Sequence, residues 1–321
     1  MVYHICCSTD DNYAQHCAVM LCSLFEKNAE AQFEIHLLIV ELSEENTAKI
    51  NNLVESYSSK LTIHQLNSQL LEKCLLRTDR TIPISAFSRL LIGSILDENI
   101  DYTLYLDVDI IIADNITPLF KLNIEEFPVA AIKDRAIPKE DFRMRHSFPH
   151  NWDYFNSGVM LINLKYWRHF DVESDFFSII KEEEFLEQND QDVLNIAFKG
   201  KWFSLSLVWN RFSTVAYDDS FFLNHDERAY FEKNPKIIHF AGGYGLKPWN
   251  KVYFVEYRSL YYHYLKKTEW RNFRPLKVKK GLLRAYKQLF SAYLHQFLYR
   301  NSLYSLFRII TIPIRMFRRS S

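Results

Sequence analysis

Two carboxylates interrupt an apolar run at residues 104–112, LYLDVDIII. A strand places residues i and i+2 on one face, roughly 6–7 Å apart. Asp107 and Asp109 therefore share a face, or straddle the strand end and the following turn. Two unpaired buried carboxylates are very costly, and a divalent cation removes that penalty. Oxygen ligands suit hard ions such as Mg²⁺ and Mn²⁺. An ion held at a strand end can bridge a diphosphate and stabilise it as a leaving group. Read alone, the spacing also fits Asp109 capping a turn and Asp107 pairing with a lysine or arginine.

The elements that would position this pair follow from periodicity. Tyr3–Ser8, Phe33–Val40, Leu61–Gln65 and Tyr102–Asp107 read as strands. Tyr13–Lys27 reads as a helix capped by Asp11 or Asn12. Ser43–Ser58 is helical, with Ile50, Leu53, Val54 and Tyr57 on one face. Ser85–Leu96 and Gln191–Phe198 read as helices, and Pro128–Ile132, Gly158–Asn163 and Lys236–Phe240 as further strands. Strands alternating with helices predict an α/β fold, a parallel sheet with helices on both faces. Such sheets bind ligands at the carboxyl ends of their strands. The first strand ends at STDDNY without a glycine, which argues against a nicotinamide or flavin site and against a P-loop there.

The 321 residues are 48% hydrophobic and 24% charged, ordinary for a globular protein with a sizeable core. The five cysteines, Cys6, Cys7, Cys17, Cys22 and Cys74, lack zinc-ligand spacing and read as reduced core residues. The opening MVYHICCS has no basic n-region or long apolar stretch, and no apolar segment approaches the ~20 residues of a membrane span. A cytoplasmic protein is expected. Of the seven glycines, three fall in Gly242-Gly243-Tyr244-Gly245, marking one loop that needs backbone freedom or close ligand approach.

Five motifs in order, DDNYA, LYLDVDIII, YFNSGVMLINLKYWR, DQDVLN and IIHFAGGYGLKPW, resemble glycosyltransferase family 8 across about residues 1–250. The resemblance implies a retaining enzyme of the GT-A fold that uses a UDP-sugar donor and Mn²⁺, with Mg²⁺ as the alternative. The bacterial lipooligosaccharide and lipopolysaccharide galactosyl- and glucosyltransferases are most similar. By that resemblance Asp107, Asp109 and His239 are metal ligands. Ser8, Asp10, Asn12 and Tyr13 hold uridine and ribose, with Tyr13 offering a stacking face. Lys247 contacts the diphosphate, approached also by backbone N–H groups at Gly243 and Gly245. Arg89 lies near donor sugar and phosphate, and Asp134 and Asn156 meet sugar hydroxyls. Asp190 and Gln191 lie beside the anomeric carbon and are the candidate catalytic pair. The chain departs from the family's usual His-x-x-Gly-x-x-Lys-Pro-Trp by two extra residues between His239 and Lys247. A reading from another class, a catalytically silent sugar-nucleotide or glycan-binding scaffold, is opposed by the intact triad and Lys247.

The zero formal net charge hides an asymmetry. Residues 271–321 hold twelve Lys or Arg and no acid, against 27 basic and 39 acidic residues before them. From Leu282 through Leu298, Tyr286, Leu289, Phe290, Tyr293, Leu294 and Phe297 continue one helical stripe with Arg284 and Lys287 off it. A basic, aromatic-rich amphipathic segment fits an interfacial anchor on an anionic membrane. Two domains are expected, 1–250 catalytic and 251–321 helical and basic. The expected partners are a UDP-sugar, a lipid-linked saccharide acceptor and the inner face of the cytoplasmic membrane. No nucleic-acid-binding fold is recognisable, so no nucleic-acid partner is expected.

Overall fold

The computed structural model describes residues 2–66, 84–134, 146–149, 152–183, 186–213, 230–241, 247–250 and 255–274. Cys74, the loop with Gly243 and Gly245, and the stripe from Leu282 to Leu298 lie outside them. The chain forms two compact units. The first holds Met1–Arg211, Asn234–His239 and Ser259–Phe273; the second holds Phe212–Lys233, Phe240–Arg258 and Arg274–Ser321.

The first unit is built on a seven-stranded sheet. Its strands are β1 (Val2–Thr9), β2 (Gln32–Ile39), β3 (Lys60–Gln65), β4 (Tyr102–Leu106), β6 (Val129–Ala131), β7 (Val159–Asn163) and β8 (Phe203–Ser204), in the order β3-β2-β1-β4-β7-β6-β8. Strand β5 (Ile110–Ile112) pairs antiparallel with β10 (Ile237–His239), and Arg211–Phe212 forms the short β9. The helices are α1 (Ala14–Lys27), α2 (Glu44–Ser56), α3 (Ile92–Ile95), α4 (Leu164–His169), α5 (Val172–Glu182), α6 (Asp190–Phe198) and α7 (Arg258–Leu265).

Strands β1 to β4 pair in parallel as expected, but β7 runs antiparallel to both β4 and β6. Parallel neighbours need a long, usually helical crossover, and the chain between β4 and β7 instead makes the short strands β5 and β6. The outcome matters for the site. In the register Leu106↔Val159 the start of β7 lies beside the end of β4, and the Asp107 N–H donates to the Gly158 carbonyl at 2.9 Å.

Two other expectations are corrected. The N-cap of α1 is Tyr13, without a side-chain cap, rather than Asp11 or Asn12. Asp10 accepts the Tyr13 N–H at 3.0 Å, while Asp11 is turned away and accepts from the Ser43 N–H, the Ser43 hydroxyl and the Asn46 amide at 2.8–2.9 Å. That strut fixes the β1–α1 corner to the start of α2, where Ser43 is the N-cap. The segment expected as one helix over 85–96 is a 3₁₀ helix, Ile84–Leu91, followed by α3.

Helix α1 is buried at eleven positions because it is covered on two sides. Its Ser23 hydroxyl accepts the Ile112 N–H and its Asn28 side chain accepts the Ile116 N–H, both at 2.9 Å, which seats β5. On its outer side the His16 ring meets the Tyr261 hydroxyl of α7 at 2.7 Å. Opposite the sheet, Phe87, Tyr105, Phe155, Trp167, Phe176 and Phe198 form a buried cluster, each contributing roughly 1.5–3 kcal/mol by burial. The Arg168 guanidinium donates to the carbonyls of Gly93, Leu96, Asp97, Glu98 and Ile100, which pins the approach to β4. In the second unit Phe231, Phe240, Trp249 and Val255 are buried. Cys6, Cys7, Cys17 and Cys22 are free and buried. Among the described residues no helix is long and apolar enough to cross a membrane.

Candidate active site

The parallel strands and the reversed β7 bring three segments to one edge of the sheet. Thr9 ends β1, Leu106 ends β4, and Asn156-Ser157-Gly158 leads into β7. Asp107 follows β4 and Asp109 sits in the turn before β5, so the two carboxylates straddle the strand end. They meet His239, the last residue of β10, through its pairing His239↔Ile110. Its Nε2 is 3.2 Å from Asp109 Oδ1 and 3.8 Å from Asp107 Oδ2. One ligand atom from each of the three residues lies within 4.8 Å of the others.

Backbone groups fix the orientation of that histidine. The Gly158 N–H donates to Asn156 Oδ1 at 3.0 Å, so this atom of Asn156 is the oxygen. Asn210 must then present its NH₂ to it, at 2.8 Å, and its oxygen to His239 Nδ1, at 2.9 Å. An amide oxygen only accepts, so Nδ1 carries a hydrogen and Nε2 faces the carboxylates. Two carboxylates and an imidazole Nε2 are a donor set for a hard-to-borderline divalent ion. The cradle is also kept clear: a Cβ on Gly158 would stand 2.4 Å from His239 Cε1, 2.8 Å from Asp107 Oδ2 and 3.0 Å from His239 Nδ1. The three residues therefore fit a divalent ion.

Arg89 ties the Asp107 carboxylate to the rest of the site. It is 8% exposed, on the 3₁₀ helix. Its Nη2 donates to Asp107 Oδ1 at 2.8 Å, its Nη1 to the Ser157 carbonyl and hydroxyl at 2.9 and 3.0 Å, and its Nε is ion-paired with Asp190 Oδ2 at 3.0 Å. The guanidinium lies 4.5 Å over the Tyr105 ring, whose hydroxyl donates to the same Asp107 oxygen at 3.1 Å. Burial opposes the charge on Arg89, but Asp107 and Asp190 outweigh it and its pKa is raised. At Asp190 the balance is reversed. Burial raises its carboxyl to about 6, and Arg89, shared with Asp107, offsets this only in part.

A raised acid pKa carries a sign for stability. The folded chain binds this proton more readily than the unfolded chain, whose carboxyl titrates near ~3.9. The contribution is fully present below that value and is lost as pH rises through about 6. In EDTA, the unfolding free energy of Asp190→Asn should fall less between about pH 5 and about pH 7.5 than that of the parent, by roughly 1 kcal/mol. An equal fall in the unfolding free energy of the two proteins between these pH values, from urea titrations at each, would mean that Arg89 keeps Asp190 ionised throughout.

Beside this pair lies a buried amide network. Gln191 Oε1 accepts from the Ser157 N–H at 2.9 Å and from Asn156 Nδ2 at 3.0 Å, and Gln191 Nε2 donates to Asp134 Oδ2 at 3.3 Å. Asn156 Nδ2 donates to the same Asp134 oxygen at 3.0 Å. Asn189 is the N-cap residue of helix α6, which carries Asp190 and Gln191, and its side chain makes no capping hydrogen bond. Asn195 fastens it to the neighbouring segment: its Oδ1 accepts the Phe155 N–H and its Nδ2 donates to the Phe155 and Gln191 carbonyls.

Asp107, Asp109, His239, Arg89, Asp134, Asn156, Asp190 and Gln191 are thus brought together. Ser8 and Asp10 lie at the end of β1, partly buried, and Asn12 and Tyr13 lie in the turn before α1, Asn12 exposed. Lys247 belongs to the second unit, where it donates to the Phe240 carbonyl at 2.7 Å and lies 5.9 Å from the centre of the Trp249 ring. Gly243 and Gly245 fall outside the described residues. Sequence reasoning missed Asn210, Asn195 and Tyr105, and it did not see why position 158 must be small. The YFNSG stretch signalled the last; nothing local marks Asn210, whose partners are 29 and 54 residues away.

A sequence model described as Glycosyl transferase family 8 matches residues 4–252. General stress protein A of Bacillus subtilis (strain 168) is 28% identical over 278 residues, 84% of this chain and 95% of that protein. The Lipopolysaccharide 1,2-glucosyltransferase of Escherichia coli is 25% identical over 284 residues, 87% of this chain and 82% of its own. Among solved structures, the galactosyltransferase LgtC in complex with donor and acceptor sugar analogues is similar at TM-score 0.69 and 23% identity, covering 88% of this chain and 99% of that chain. At that identity the likeness is one of fold.

Proposed function

The chain belongs to glycosyltransferase family 8, and we propose that it is a retaining hexosyltransferase moving galactose or glucose from a UDP-sugar to a lipid-linked saccharide, with Mn²⁺ and an α linkage. That it is a glycosyltransferase of GT-A fold follows from the family match and the structural likeness. The single observation that carries the finer reading is the meeting of Asp107, Asp109 and His239 at the sheet edge, joined through Arg89 to Asp190. The lipid-linked acceptor is taken from the similarity to the lipopolysaccharide glucosyltransferase.

In this reading Ser8, Asp10, Asn12 and Tyr13 take the uridine and ribose, and Lys247, with Gly243 and Gly245, the diphosphate. Held by Asp107, Asp109 and His239, a divalent ion supplies positive charge against the diphosphate as it leaves. Asp134 and Asn156 meet sugar hydroxyls, and Asn210 keeps His239 and Asn156 in register. Retention requires a covalent intermediate or attack from the front face. The structure favours the second. The Asp190 carboxylate is paired with Arg89, and the Gln191 oxygen, a weak nucleophile, already accepts from Asn156 Nδ2 and from the N–H and hydroxyl of Ser157. The acceptor hydroxyl then attacks on the face from which UDP departs, and its proton passes to the leaving phosphate oxygen, through an oxocarbenium-like state.

Incubated without acceptor, the protein should release UDP slowly from one UDP-hexose in Mn²⁺ and lose that activity in EDTA. Mass spectrometry of the same incubation should find no glycosyl adduct on Asp190 or Gln191. Failure to hydrolyse or bind any UDP-hexose overturns the reading; an adduct overturns only the front-face mechanism.

A lipid-linked acceptor agrees with the basic, aromatic-rich segment of residues 271–321. Full-length protein should co-sediment with vesicles containing phosphatidylglycerol or phosphatidylserine, less so at high salt. A chain lacking residues 280–321 should stay in solution while keeping UDP-sugar hydrolysis. Equal partitioning of the two would rule out this anchor.

A further inference from the structure

A second cluster of ligating side chains runs diagonally across the first three strands. His4 of β1, Glu34 and His36 of β2 and His64 of β3 share one face of the sheet. The registers His4↔Glu34, Cys6↔His36, His36↔Thr62 and Leu38↔His64 place them in successive same-face rows. His4 Nδ1 is 3.0 Å from His36 Nε2, and His36 Nδ1 is 3.1 Å from His64 Nε2. A Glu34 oxygen lies within 4.8 Å of the ligand nitrogens of His4 and His36.

We propose that His4, Glu34 and His36 bind a borderline divalent cation such as Zn²⁺, separately from the site at Asp107. Two imidazoles and a carboxylate are the donor set such ions prefer over Mg²⁺. Two nitrogens each ~2.0–2.1 Å from a tetrahedral ion stand roughly 3.3 Å apart, so the 3.0 Å gap needs only a small opening. Burial lowers the pKa of His4 and His64 and that of His36 to about 4, so all three rings are neutral and able to ligate at neutral pH. Without an ion, the facing nitrogens of His4 and His36 share one hydrogen. With an ion between them, His4 carries its hydrogen at Nε2. His36 carries its own at Nδ1 and donates it to His64 Nε2, the outer hydrogen bond that orients a ligating histidine. No proton is gained or lost in this exchange.

Glu34 is held for the role. It accepts from Lys60 Nζ at 2.6 Å and from the Thr62 hydroxyl at 3.0 Å through Oε1. His4 and Glu34 are only partly buried, which leaves an approach for the ion and a position for water. Lys60 is the adverse element, a positive charge beside the carboxylate.

The test is equilibrium dialysis of untagged full-length protein against Zn²⁺, with circular dichroism to confirm folding. The parent should retain one ion more than His4→Gln and one more than Glu34→Gln. Asp109→Asn should still retain the ion lost in those variants. Lys60→Ala, an exposed change, should bind that ion several-fold more tightly. The proposal is overturned if His4→Gln and Glu34→Gln hold as much Zn²⁺ as the parent, or if Lys60→Ala leaves the affinity unchanged.

Discussion

Replacing Arg89 with alanine is expected to remove about 3–5 kcal/mol of folding stability and to abolish transfer. Its guanidinium sits on the Tyr105 ring, donates to Asp107 and to both oxygens of Ser157, and pairs with Asp190. Its removal leaves the buried Asp190 carboxylate without counter-charge, in a place where burial already raises its pKa to about 6. Breaking such a pair at one end is far more damaging than replacing both partners by apolar groups. Because protonation of Asp190 relieves the unpaired charge, the loss should shrink towards about pH 5. Arg89→Lys should recover only part of it, since one ammonium cannot reach three directions as a planar fork does. Urea unfolding in EDTA measures the effect, and a loss below about 1 kcal/mol would mean that Arg89 acts as an exposed ion pair does.

Gly158→Ala is expected to act chiefly on the site: about 1–3 kcal/mol of stability lost to overpacking, and a fall in metal affinity of about 10–100-fold or more. The added Cβ would meet Asp107 Oδ2 and the His239 ring, two of the three presumed ligands. The constraint is one of space. Gly200, with φ +76°, is by contrast a position where the backbone itself disfavours other residues. Mn²⁺ binding followed by electron paramagnetic resonance, together with UDP release, measures the effect. Parent-like Mn²⁺ affinity in Gly158→Ala would separate this cradle from the ion.

Much of this was open to sequence reasoning, for identifiable reasons. Strands β1 and β2 and helix α1 announce themselves as compact apolar runs, and α2 as a helix that buries Ile50 and Val54 on one periodic face. The carboxylate pair stands out because charge inside an apolar run has no packing explanation. Strand direction is different. The run leading into β7 alternates identically whichever way it pairs, so its reversal beside β4 left no local trace, although that reversal delivers Ser157 to Arg89 and Gly158 to Asp107. The 3₁₀ helix around Arg89 carries a guanidinium whose partners all lie far along the chain, at Asp107, Ser157 and Asp190, so local pattern gives no sign of it. Asp10, Asp11 and Asn12 are all competent caps, and only the position of Ser43 and Asn46 decides that Asp11 turns outward. Asn210 is legible only once its partners are seen together.

The pairing of β5 with β10 also has a consequence in time. Asp109 and His239 are separated by 130 residues of chain. At synthesis rates of about 5–20 residues per second, the acidic pair leaves the ribosome roughly 6–26 s before the histidine that completes the triad. Arg89 is made earlier than either carboxylate. The partner that organises the finished site therefore precedes in the chain every acidic group it organises.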